Sequence, residues 1–151
     1  MPHVEQLRTL GDAAGDGGPE LRGLLDDAVR FLQDHLLIHA QAEERALYPV
    51  VAEVMGARDA TATMSRDHVE VGTLVGELAA VRQALAQRAP SNAELLNLRR
   101  LAYGLYALLK VHFAKEEEVY LPLLDAHLSV ERANAMFAAM EQAAGEARAT
   151  D

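Results

Sequence analysis

From Pro19 onward the apolar positions fall at three- and four-residue steps: Leu21, Leu24, Leu25, Ala28, Phe31 and Leu32, then Ala42 and Ala46. Such a stripe marks one face of an amphipathic helix. It predicts a long helix that opens at Pro19, a residue suited to a first helical turn, and ends near Met55-Gly56. Pro49 lies inside it and should kink or tighten its last turns. A third helix follows Gly56, with Asp59, Thr61, Thr63 and Ser65 all able to cap it. Val71, Val75, Leu78, Val81 and Leu85 mark its buried face. The chain breaks at residues 88–92, where Ser91 and Glu94 have the spacing of a capping box. A fourth helix then carries Leu95, Leu98, Leu101, Leu105 and Leu108 towards Pro122. Ser129 starts a last helix with Ala133, Met136, Phe137 and Met140 on one face. Ahead of all these, His3 to Leu10 reads as a short helix stopped by Gly11, and residues 11–18 as a loop.

The apolar stripes are interrupted by polar residues at helical spacing, and these repeat. His39-Ala40-Gln41-Ala42-Glu43-Glu44 ends in Leu47-Tyr48-Pro49; His112-Phe113-Ala114-Lys115-Glu116-Glu117 ends in Tyr120-Leu121-Pro122. Residues four apart lie one turn above each other, so each copy aims an imidazole and a carboxylate at one place. His3-Val4-Glu5 likewise matches His68-Val69-Glu70. The repeating unit is a helical hairpin with one His on its first arm and His plus Glu on its second. Two such hairpins make an all-α, up-down four-helix bundle with a short first helix and an extra C-terminal helix. Residues 1–128 would form the bundle, and 129–151 a helix packing on it or on a partner.

Composition narrows the chemistry. Half of the residues are apolar and Trp is absent, which favours helix. The net charge of −9 argues against a nucleic-acid partner. Without cysteine there is no thiolate site, so a metal must be held by His, Asp, Glu or Tyr. No signal peptide and no membrane span is legible, and a soluble, cytoplasmic monomer or homodimer is expected.

A lone His in a helical core is ordinarily just hydrogen-bonded. Here His3, His39, Glu43, His68, His112 and Glu116 stand at matched repeat positions. Imidazole with carboxylate suits iron, manganese or zinc, and bridging carboxylates favour a metal pair. His3 and His39 are assigned to one ion and His68 and His112 to the other, with Glu43 and Glu116 bridging both. A shared oxo or hydroxo bridge would leave one position open on each ion. His3 must climb roughly 30 Å with residues 3 to 18, which requires a stretched loop. Otherwise a partner chain lends the first helix, or His35, one turn before His39, takes the place of His3. Tyr120, one turn beyond Glu116, is either a core aromatic or a phenol hydrogen-bonded to, or ligating, the metal centre. Glu44, Glu117 and Glu118 turn away as solvated residues, or else orient ligand imidazoles. His127 falls outside the repeat, at the surface.

The order H…HxxxE…H…HxxxE with its two Pro-terminated endings resembles the hemerythrin-like (HHE cation-binding) family, over residues 3 to about 125. That resemblance implies a four-helix bundle with a non-haem di-iron centre that carries or senses dioxygen, reacts with peroxide or nitric oxide, or handles iron. The oxygen carriers of the family have two histidines one turn apart on the third helix. Here Met64 and Gly72 flank His68 at those spacings, so the ion at His68 and His112 lacks one imidazole. Two coordinatively open irons suit reduction of peroxide or nitric oxide by a di-iron oxidoreductase better than reversible oxygen binding. The other class is a binding protein: an oxygen or redox sensor, for which no output domain is legible, or an iron store. A redox-silent structural zinc is a third.

Overall fold

The computed structural model describes residues 2–150, and its regular elements are helices, with no strand among the described residues. Helix α1 spans Pro2–Asp16. A continuous helical run follows: α2 (Leu21–Phe31), α3 (Leu37–Ala42) and α4 (Tyr48–Met55), joined through wide five-residue turns at Leu32–Leu36 and Glu43–Leu47. Then come α5 (Ala62–Leu85) and α6 (Asn92–Lys115), which passes through a third wide turn, Glu116–Tyr120, into α7 (Leu121–His127). Helix α8 (Val130–Thr150) closes the chain. No helix among the described residues is long and apolar enough to cross a membrane.

Two of the wide turns stand directly before prolines. The Tyr48 N–H reaches back five residues to the Glu43 carbonyl, and the Leu121 N–H to that of Glu116. Proline has no N–H to give and its ring crowds the carbonyl four residues earlier. A widened turn moves that carbonyl aside, so the helix loosens ahead of Pro49 where tightening or kinking was the expectation. Such turns recur at functional sites.

The chain divides into two compact units, to which α5 and α6 both contribute. One comprises the residues up to Gln33 together with Glu70–Lys110. Its core includes Leu25, Leu78, Leu98, Leu101 and Leu105 of the apolar stripes read from the sequence, joined by Leu7, Leu10 and Val29, all buried. Helix α1 runs past Gly11, contrary to the expected stop. A Cβ at residue 11 would lie 2.8 Å from the Tyr103 ring, so this glycine allows a close helix contact. The adjacent Asp12 accepts the Tyr103 hydroxyl. The true stop is Gly17, at φ 64°. At 15 residues, roughly 22 Å, α1 extends through most of the stretch expected to be a loop. The capping box at the start of α6 forms as its spacing implies, with Ser91 Oγ accepting the Glu94 N–H at 3.3 Å and Glu94 accepting the Ser91 N–H at 2.9 Å.

The other unit, Asp34–Val69 with the residues from Val111 on, holds α3, α4, α7 and α8. Its apolar cluster consists of Leu47, Tyr48, Val51, Met64, Tyr120, Leu124 and Met136, with Met140 packed against it. Helix α8 lies against α3 and the Glu43–Leu47 turn. It turns Met136, Ala143 and Ala147 inward and leaves Phe137 half exposed.

Leu124→Ala should lower the unfolding free energy by about 2–5 kcal/mol, because it opens a cavity in this cluster. Leu121→Ala, on the exposed side of the same helix, should cost well under that. Urea unfolding of the two variants checks this, and equal losses would contradict the packing.

Candidate metal centre

Of the expected ligands, His39, Glu43, His68, His112 and Glu116 lie in the second unit. Glu43 and Glu116 each open a wide turn and are buried, and His112 is buried one turn before Glu116. One ligand atom from each of Glu43, His68 and His112 lies within 4.8 Å of the others. Glu43 faces two imidazoles with its two oxygens: Oε1 meets His39 Nε2 at 2.8 Å, and Oε2 meets His68 Nε2 at 3.2 Å. Glu116 Oε1 lies 3.1 Å from His112 Nε2, but without hydrogen-bond alignment, and this buried oxygen has no hydrogen-bond partner. The Nε2 atoms of His68 and His112 stand 3.2 Å apart.

The outer nitrogens explain this arrangement. His68 Nδ1 lies 2.8 Å from Glu44 Oε1, and His112 Nδ1 lies 3.1 Å from Asp67 Oδ2. A carboxylate at Nδ1 fixes the tautomer with its proton there and turns the Nε2 lone pair inward. Two lone pairs and two carboxylates then face a common point. Such a point holds a cation, whether a proton or a metal ion. The orphaned Glu116 oxygen marks a missing partner. The nitrogen and oxygen donors match a first-row divalent metal. The residues present therefore fit a metal centre.

The protonation pattern follows the same geometry. Burial works to raise the Glu43 pKa, but hydrogen bonds from His39 and His68 outweigh it and hold it down at about 2. Burial, with the neighbouring Glu43 charge, raises that of Glu116. The two carboxylates of the pair are thus shifted in opposite directions. The Glu43 hydrogen bond raises His39. At His112 burial opposes the charged form, yet Glu116 and Asp67 together raise it.

Asp67 and Tyr48 belong to the centre although neither stood out in the sequence. The signal for Asp67 was His112 and Lys115, three apart on one helix face and both in need of an acid. Tyr48 is displaced by the wide turn. Ordinary helical spacing puts Leu47 over Glu43, whereas here the Tyr48 hydroxyl comes within 3.3 Å of His68 Nε2. Burial and the surrounding carboxylates raise the phenol pKa and keep it neutral. Tyr120 lies in the apolar cluster, its hydroxyl donating to the Ala60 carbonyl at 3.3 Å. Glu44 is engaged with His68 and with the Ser65 hydroxyl. Glu117 and Glu118 are exposed, and so is His127, whose Nδ1 lies 2.8 Å from the Leu123 carbonyl. His35 is exposed on the Leu32–Leu36 turn and is not in the set of mutually close ligand atoms. His3, in the first unit, stacks on Phe31 at 4.5 Å and meets Gln6 Oε1 at 3.3 Å.

An all-helical chain that gathers histidine and glutamate around a cation position defines a helical-bundle metal-binding protein. Residues 2–124 match the model of the hemerythrin HHE cation-binding domain, and the chain belongs to that family, with an added C-terminal helix. Searches of curated proteins and of solved structures give no match.

In the metal-free protein, ionised Glu43 contributes stability above its ordinary pKa of 4.5, and this is lost as pH falls towards about 2. Protonated His39 contributes below 6.5, and this is lost as pH rises through its raised value. Thermal unfolding in chelator should therefore show Glu43→Gln most destabilised between those two ordinary values. Wild-type and variant curves that run parallel across the whole range would contradict the pairing.

Proposed function

We propose that the centre binds two iron ions joined by an oxo or hydroxo bridge, and reduces a small oxidant, hydrogen peroxide or nitric oxide. The observation that carries this reading is the convergence of Glu43, His68, His112 and Glu116 on one point, with both inner imidazoles turned by carboxylates at their outer nitrogens. Glu43, spread between His39 and His68, has the disposition of a bridging carboxylate. Met64, one turn before His68, is fully buried in the apolar cluster, which supports a ligand set short of one imidazole. Bound iron would supply electrons and Lewis acidity to the oxidant.

The chain's own residues handle orientation and protons. Anionic Glu43 offsets cationic charge without needing to lose a proton. Neutral Tyr48 carries a hydroxyl proton beside His68 that can be donated to a small ligand. Half-exposed His39 leaves the centre open to a molecule of that size.

Ferrous loading should give two irons per chain and a near-ultraviolet absorption that a zinc-loaded sample lacks. Glu116→Ala should lose most of the iron. His3→Ala and His35→Ala, measured side by side, should show which imidazole completes the His39 position: that variant loses one iron. Mixing with peroxide or nitric oxide should give turnover. A stable, reversible dioxygen adduct without turnover, or two-iron uptake with no reaction, would contradict the enzyme reading and favour a binding or storage role.

A further inference from the structure

Within the second unit, α7 and α8 enclose a groove of about 660 Å³. Buried Leu124 and Met136 form its floor. Leu121, Val130 and Phe137 stand on its walls, 40, 72 and 50 % exposed. A large apolar side chain left singly in water needs no explanation, but three around one concavity mark an interaction surface. The match to the family domain ends at residue 124, so the wall from Val130 on belongs to the added helix. Among the described residues, none of the metal centre's ligands lines the groove.

Charge selects what can lie there. Glu117 and Asp125 line the α7 side, and among the described residues no Lys, Arg or His does. Both carboxylates are exposed, and they act on a partner that comes within about 8–10 Å at moderate salt. A second copy of this chain would approach with a net charge of −9, which opposes self-association. Helix α7 is seven residues long, about 10 Å, and matches two turns of a docked helix with apolar anchors at i, i+4 and i+7.

We infer that this groove is a docking site for an amphipathic helix of a partner protein. Its apolar stripe would seat against Leu121, Val130 and Phe137, and its basic residues would meet Glu117 and Asp125. The inference does not depend on which metal the centre holds.

The test is a binding titration of the full chain with a Leu/Lys model peptide of about 14 residues, four helical turns with one apolar face. The chain has no Trp, so one Trp in the peptide gives a fluorescence signal without background. Binding should saturate and weaken as salt is raised, and a Leu/Glu peptide of the same pattern should not bind. Phe137→Asp and Asp125→Lys should each weaken the Leu/Lys peptide about tenfold or more. Leu96→Asp, at an exposed leucine of the first unit, should leave it unchanged. Asp125→Lys should also gain affinity for the Leu/Glu peptide, a reciprocal change that loss of structure does not produce. Equal binding of the two peptides, or unchanged affinity in both groove variants, would overturn the inference. So would a concentration-dependent dimer in sedimentation that Phe137→Asp abolishes, because the occupant would then be a second copy.

Discussion

The structure turns on a small group of lone pairs that face one another. His68 and His112 direct their inner nitrogens to a point 3.2 Å across, and Glu43 and Glu116 add carboxylate oxygens to it. Left to themselves these groups repel. Burying an acceptor without a partner costs roughly 1–3 kcal/mol. A cation removes that cost, and the fold maintains the arrangement because the surrounding contacts fix it. Asp67 and Glu44 lock the imidazole orientations from behind. Helix α8 packs on the segment that carries His39 and Glu43, and the apolar cluster holds Tyr48 and Met64 in place. Stability has been given up at the centre and recovered in its surroundings, as is usual where residues are arranged for chemistry.

Much of this was legible in the chain. Helical spacing alone puts His39 over Glu43 and His112 over Glu116, and the observed contacts of 2.8 and 3.1 Å are what that spacing implies. The capping box at Ser91 and Glu94 was equally local, and it formed. What local reasoning misses are the features decided by packing. Gly11 reads as a stop, yet the helix continues through it because its missing Cβ admits the Tyr103 ring. Tyr48 reads as facing away from Glu43 at 3.6 residues per turn, and only the widened turn before Pro49 swings it to His68. Asp67 carries no periodic signal, since its partner lies 45 residues further along the chain.

The internal repeat explains both the regularity and its limits. Duplication supplies two copies of the His–Glu helix face and two prolines that each follow a widened turn, which gives the centre its pseudo-symmetry. The copies then diverge where they meet different neighbours. Tyr48 occupies in one copy the place that exposed Leu121 takes in the other. Glu43 is held anionic by two imidazoles, whereas burial beside that charge raises the pKa of Glu116.

The most direct measurement is iron anomalous diffraction from crystals of the ferrous-loaded protein. Two iron peaks about 3.5–4 Å apart, bounded by the inner nitrogens of His68 and His112 and the carboxylates of Glu43 and Glu116, are the predicted result. Crystals with no iron density among those four side chains, or with iron only on exposed surface carboxylates, would contradict it.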